Sequence, residues 1–256
     1  MLQVFKKTLP RSIAYLKVIC CLHVTVTNLS AQNDTASSPN DSKSTSASTL
    51  KEFKTLSKEK KESLRKILME AATLINGIRV QESLEKIIEA ESMVTDFAPL
   101  YNLKGAAYTK IRDFDKAQEA FERAVLLDPT AVMTRFNLTE MHFVKKKYPL
   151  AEKEFSKFLS LNKDLPQETE ALVKYKLLIC NLKLEKESNA DEILKSFDYL
   201  DDHPAFYYSH AAIHFNKGET TKASSWINAA SKIYKPAINN IYNDSLIEAG
   251  WLDNIE

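Results

Sequence analysis

Residues 98–129 read APLYNLKGAAYTKIRDFDKAQEAFERAVLLDP, and this stretch decides the fold class of the chain. Apolar and small residues recur there at helical spacing in two runs, which Arg112 and Asp113 separate. Gly105 and Ala117 carry almost no side chain, so the two helix backbones can approach closely. The stretch therefore predicts two antiparallel helices joined by a tight turn.

Six residues of this stretch stand at fixed offsets that closely resemble a tetratricopeptide repeat. They are Gly105, Tyr108, Ala117, Phe121, Ala124 and Pro129. Tyr101 occupies the position where the family usually has Trp, and Leu103 replaces a Leu expected at Lys104. The resemblance implies an all-α fold, a right-handed superhelical solenoid of antiparallel helix pairs.

The 34-residue period of this family extends the pattern in both directions. It places units near 64–97, 98–131 and 132–165, then, after a longer joint, near 167–203 and 204–236. The amphipathic segment 237–252 is expected to cap the last pair, because an uncapped solenoid exposes its stacking face. The whole array spans 50–256. We expect helices near 58–76, 80–94, 167–185 and 189–200, with Ser57 as an N-cap and Gly77 closing the first helix.

The amino terminus has the layout of an export signal. Residues 1–31 combine a basic start without acidic residues, a moderately apolar run at 13–26 and a small-residue site at 29–31. We expect a cleaved signal peptide and hence a periplasmic or extracellular protein; an uncleaved membrane anchor and a cytosolic protein are the alternatives. Residues 32–49 are rich in Ser, Thr, Asn and Asp and predict a disordered linker. Residues 206–252 are similar to the closing part of exported bacterial repeat proteins, which favours a bacterial origin.

Composition and motifs argue against several functions. The chain of 256 residues has a net charge of +1, and residues 32–256 carry 31 basic and 34 acidic residues, so bulk charge predicts no nucleic-acid partner. No membrane insertion is expected beyond the amino terminus. Catalytic, cofactor and metal sites are not expected, since nucleophile and phosphate-loop motifs are absent from the sequence. His210 and His214 share a helical face but lack a third ligand, so we expect them in the core, and Cys180 should be a buried, inert thiol.

A protein or peptide partner is the expectation that the family resemblance adds. In such solenoids the first helix of each pair lines a concave groove, and transferring the groove positions to this sequence gives an apolar, aromatic lining. Only Asn102 and Lys110 could donate to a terminal carboxylate, so a carboxylate clamp is not expected. The predicted function is a non-catalytic binding scaffold. An envelope assembly factor for unfolded or outer-membrane clients, an enzyme on a repeat scaffold, and simple packing of the aromatic residues stay open. The predicted groove residues are Asn102, Ala106, Thr109, Lys110, Phe136, Glu140, Phe143, Tyr175, Ile179, Tyr208, Ala212 and Phe215.

Overall fold

The computed structural model describes residues 51–198 and 203–253, and all regular secondary structure in these ranges is helical. The predicted signal peptide and linker lie outside the described residues. The all-α prediction is confirmed. The chain divides into two compact units, one reaching Thr169 and the other beginning at Glu170. None of the described helices is both long enough and apolar enough to span a lipid bilayer.

The first unit is a series of consecutive helices in which each one from α2 onward packs on the next. α2 also contacts α4, so the first helices of neighbouring pairs lie side by side. The helices are α1 (Lys51–Thr55), α2 (Lys58–Asn76), α3 (Val80–Glu91), α4 (Ala98–Lys110), α5 (Phe114–Leu127), α6 (Val132–Val144) and α7 (Tyr148–Leu161).

The close approach predicted at Gly105 is present between α4 and α5. A Cβ atom on Gly105 would lie only 2.6 Å from the nearest carbon of the Phe121 ring. Ala117 and Phe121 are buried together with Met141 of α6, and Tyr108 packs against them. Small residues and rings thus interlock across successive helices, and this interlocking holds the pairs together.

Both ends of α2 lie where the sequence predicts them. Ser57 caps its start, since the backbone N–H of Lys60 donates to Ser57 Oγ at 3.3 Å. Gly77 follows the last helical residue but has a φ of −80°, and the left-handed backbone falls on Ile78, with a φ of 62°. Gly77 is thus the predicted C-cap residue, and the left-handed conformation falls on the residue after it.

The second unit contains α8 (Gln167–Lys183, which starts just before the unit boundary), α9 (Glu187–Lys195), α10 (Pro204–Asn216), α11 (Thr220–Ile233) and α12 (Pro236–Glu248). α10 contacts α9, α11 and α12. α9 ends at Lys195, about one turn short of the position expected near residue 200. Ala190 is the one buried residue of α9 among those described, so packing contributes little free energy to stabilise a longer helix.

α12 lies within the segment expected to cap the array, and Trp251 follows it. The Trp251 ring stacks on Phe215 with 6.4 Å between centroids, and Lys183 Nζ lies 3.9 Å from the Trp251 centroid. Leu246 on α12 is fully buried. The carboxyl-terminal residues therefore close the second unit by packing on α8 and α10.

Candidate protein-binding surfaces

Ten of the twelve predicted groove residues are buried. Lys110 and Glu140 are half-buried and keep some contact with solvent. The other ten residues are buried, so they do not form an exposed apolar lining. Their burial agrees better with the alternative that the aromatic residues pack against neighbouring helices. A partner contact at Lys110 and Glu140 stays a prediction.

In the first unit the predicted groove residues join successive helices. Asn137 Nδ2 of α6 donates to Asn102 Oδ1 of α4 at 3.0 Å, and both amides are buried. The Phe136 ring lies 5.4 Å from that of Phe158 on α7, between ring centroids. Phe143 makes an edge contact with Tyr148 at 6.0 Å. These side chains are used in helix packing and are not available to a partner in this state.

In the second unit three tyrosines form the core. Tyr208 stacks on Tyr242 with centroids 5.2 Å apart, and Tyr175 OH donates to the backbone oxygen of Tyr242 at 3.1 Å. Burial raises the pKa of the Tyr175 phenol well above its ordinary value, and burial likewise raises the pKa of Tyr208. Both phenols therefore stay neutral hydrogen-bond donors rather than reactive groups.

His210 and His214 are half-buried rather than part of the core. His210 stacks on Trp226 at 4.3 Å between centroids, and His214 Nδ1 lies 2.6 Å from Glu219 Oε2. Burial lowers the pKa of His210, with a smaller contribution from His214. Over the described ranges, no group of three or more His, Cys, Asp or Glu residues is placed to hold a metal ion.

An aromatic cluster on α10 and α11 is the largest group of half-exposed rings that the second unit presents. His210 is enclosed by Phe206 at 4.7 Å and Trp226 at 4.3 Å, between ring centroids. Tyr207 contacts Trp226 at 6.1 Å and Tyr234 at 6.0 Å. The aromatic cluster consists of Phe206, Tyr207, His210, Trp226 and Tyr234, and every member is half-buried. The sequence predicts His210 in the core and contains no signal that the rings around it are exposed.

An exposed isoleucine extends the apolar area of the aromatic cluster. Ile233 lies seven residues after Trp226 on the same face of α11, and it is 54% exposed. Residues 198–240 contain four lysines and four acidic residues, so the charge of this segment favours no sign of partner. Lys222 and His214 both contact the Glu219 carboxylate, and their hydrogen bonds lower its pKa.

Comparison with known proteins agrees with the helix-pair geometry. Residues 98–131 match the tetratricopeptide repeat. This stretch covers α4 and α5 and the turn between them. The residue spacing that suggested the repeat is thus supported independently, and tetratricopeptide proteins are generally interaction scaffolds rather than enzymes.

A similar curated protein is the anaphase-promoting complex subunit cut9 of Schizosaccharomyces pombe, at 26% identity over 120 residues. That match covers 47% of this chain and 17% of cut9, so the chain spans less than a fifth of that relative. Two solved structures of MamA AMB-1 are similar at 16% identity, with TM-scores of 0.50 and 0.48. They cover 67% and 66% of this chain and 91% and 96% of MamA. At this identity the first of them supports the fold alone.

Proposed function

We propose that this chain is a non-catalytic scaffold that binds a protein or peptide partner. Its tetratricopeptide stretch and its consecutively packed helix pairs support the proposal, since such pairs present extended surfaces to partners. The similarity of part of the chain to a subunit of a multiprotein complex points the same way.

The observation that carries the proposal is the half-exposed aromatic cluster together with Ile233. Rings with partial exposure bury a large area at small entropic cost when a partner covers them. The cluster is therefore a better candidate for the contact surface than the buried rings of the predicted groove.

Affinity capture with the full chain tests this site. We expect a partner that wild-type protein retains to be lost on the double substitution Tyr207→Ala and Trp226→Ala, because both rings would contribute to the contact. Leu126→Ala is a matched control, since Leu126 is an exposed apolar residue of the first unit. Equal capture by the double variant, with helical circular dichroism preserved, would reject the aromatic cluster as the site.

Substitution of buried rings does not test the groove. Phe143 is fully buried and Phe136 nearly so, so Phe136→Ala with Phe143→Ala would cost several kcal/mol, about 3–5 for each ring. Loss of binding would then report loss of structure. Lys110→Glu and Glu140→Lys, which change half-exposed side chains, are the useful variants for that face.

Export is a second proposal and is supported by the basic start and apolar run within residues 1–31. In an exported protein the aromatic cluster would suit an envelope assembly or quality-control factor that binds unfolded or outer-membrane clients. Such clients expose apolar side chains, which the cluster would cover.

A further inference from the structure

Two neighbouring turns of the first unit form a single basic surface. The turn between α4 and α5 and the turn between α6 and α7 are joined by an ion pair, with Lys145 Nζ 2.6 Å from Asp115 Oδ1. Arg112 and Lys146 occupy equivalent places in these turns, 34 residues apart, with φ values of 59° and 58°. The repeat geometry thus places both cations at the same edge.

The charges of these turns do not balance. Residues 111–116 and 145–148 contain five basic and two acidic residues, a net charge of +3. Both carboxylates are already paired, Asp113 with Lys116 at 2.8 Å and Asp115 with Lys145. Of the cations in these two turns, Arg112, Lys146 and Lys147 make no ion pair with a carboxylate of the described residues. We call these three residues the basic edge.

The charge of the basic edge affects the pKa of a neighbouring histidine. Burial lowers the pKa of His142, and the charge of Lys147 lowers it further, while Glu122 and Glu154 oppose the effect. Lys147 is also the N-cap residue of α7 and supplies no side-chain hydrogen bond to the first turn of that helix. The positive end of the helix dipole therefore adds to the lysine charges without a compensating carboxylate.

Exposed apolar side chains lie beside the basic edge, and the Arg112 side chain is restricted by a contact with a ring. Ile111 is 52% exposed and Leu150 is 39% exposed, one beside each turn. The Arg112 guanidinium carbon lies 4.9 Å from the centroid of the Phe114 ring. This contact restricts the Arg112 side chain before binding, so less conformational entropy is lost when an anion is bound.

We propose that the basic edge binds an extended acidic segment of a partner protein. Side chains of α4 and α6 are in contact, Asn102 with Asn137 and Thr109 with Met141. Helices in contact have axes about 8–10 Å apart, so the turns that follow α4 and α6 are separated by roughly that distance. A segment in the extended polyproline II conformation advances about 3.1 Å per residue with three residues per turn, so carboxylates three residues apart lie on one face, about 9 Å apart, and would reach both turns. An apolar side chain between them would rest on Ile111 or Leu150. This surface is separate from the aromatic cluster and does not depend on it.

Fluorescence polarisation with the full chain tests the proposal. The probe is a labelled peptide, Asp-Leu-Ser-Asp-Leu-Ser-Asp, and the control peptide has Asn at each Asp. We expect wild-type protein to bind the acidic peptide at low salt and the Asn peptide at least about tenfold more weakly, because the Asn peptide loses its ion pairs with the basic edge. Binding should also weaken as salt is raised. Failure of the acidic peptide to bind wild-type protein, or equal binding of both peptides, would overturn the proposal.

A charge-matched pair of variants locates the site. The triple substitution Arg112→Glu, Lys146→Glu and Lys147→Glu should weaken binding at least tenfold. Lys58→Glu, Lys60→Glu and Lys66→Glu change the net charge equally on exposed positions of α2 and should have little effect. Equal loss in both variants would show attraction by overall charge and reject the basic edge. Binding to phosphatidylserine vesicles that exceeds binding to the peptide would replace the protein partner with a membrane surface.

Discussion

Ile78, Arg112, Lys146 and Glu185 share a left-handed backbone, with φ between 58° and 62°. Each lies in the turn between the two helices of a pair, and Gly218 holds the corresponding place in the last pair, with a φ of 74°. An L-residue in this conformation costs about 1–2 kcal/mol relative to right-handed backbone. Four of the five turns therefore contain local strain that the packing of the helices has to offset.

Ile78→Gly should increase the free energy of unfolding by about 0.5–1 kcal/mol. Glycine removes the clash of a β-branched side chain at positive φ, and this gain exceeds the entropy that glycine adds to the unfolded chain. Ile78 is half exposed, so little burial is lost. Urea unfolding followed by circular dichroism measures the change.

Gly218→Ala is the reciprocal control for this effect. No atom lies within 4 Å of the Cβ position, so the φ of 74° is the sole source of strain that the structure shows there. We expect destabilisation of about 1 kcal/mol. An unchanged midpoint in both variants would mean that these turns relax without cost.

Sequence spacing predicts a close contact between a glycine and a ring, but it does not predict which residue of a turn is left-handed. The contact of Gly105 with Phe121 could be predicted, because a position without a side chain opposite a large ring is a spacing pattern. The left-handed residue after α2 could not. Gly77 closes the helix as predicted, but the hydrogen bond from Arg79 N to Leu74 O accompanies a left-handed Ile78, which is a β-branched residue that composition does not suggest for this conformation.

At the scale of elements, α1 is too short to be stable alone and is held by contacts distant in the sequence. Phe53 stacks on Phe97 with 4.7 Å between centroids. The backbone N–H of Thr95 donates to Glu52 Oε2 at 3.0 Å, and the Thr95 hydroxyl donates at 3.1 Å. α1 therefore covers the amino-terminal end of the first unit's core.

The attachment of α1 should depend on pH. The hydrogen bonds from Thr95 lower the pKa of Glu52 below its ordinary value of 4.5. A carboxyl with a lowered folded-state pKa stabilises the fold above pH 4.5, and this contribution is lost as the pH falls through the folded-state pKa. Glu52→Gln should therefore lower the Tm at neutral pH, and the difference from wild type should vanish in acid.

Thermal melts of both proteins from about pH 7 to pH 3 measure this dependence. Glu59→Gln is a second test of the charge effect, since the Glu59 carboxyl also has a lowered pKa but makes its contacts within the first turn of α2; its Tm difference should likewise vanish in acid. A constant Tm difference across the range would mean that Glu52 acts through packing rather than through its charge.

The helices themselves were predictable, but their ends and docking partners were less so. The repeat period located α4, α5 and the start of α2, because apolar periodicity and an N-cap residue are local signals. The contact between Glu52 and Thr95 spans 43 residues and leaves no local pattern. The burial of Phe143 and Tyr175 likewise depends on how first helices stack, which spacing along one helix does not encode.

At the scale of the whole molecule, the sequence predicts export from residues 1–31, which lie outside the described residues. Protein purified from an expressing cell should begin near Gln32, because the small-residue site at 29–31 precedes it. Edman sequencing measures the first residue. A chain that begins at Met1 and remains associated with membranes would favour the uncleaved anchor, and a soluble chain that begins there would reject export.

The amide contact between Asn102 and Asn137 has a consequence for assembly fidelity. A hairpin that docked one residue out of register, or that exchanged with a hairpin of another molecule in a different alignment, would leave two buried amides without partners. Each such amide costs about 1–3 kcal/mol, whereas the correctly formed bond contributes only about 1 kcal/mol. The pair therefore discriminates against wrong alignments more strongly than it stabilises the right one, and its loss should first be seen as misassembly at high protein concentration.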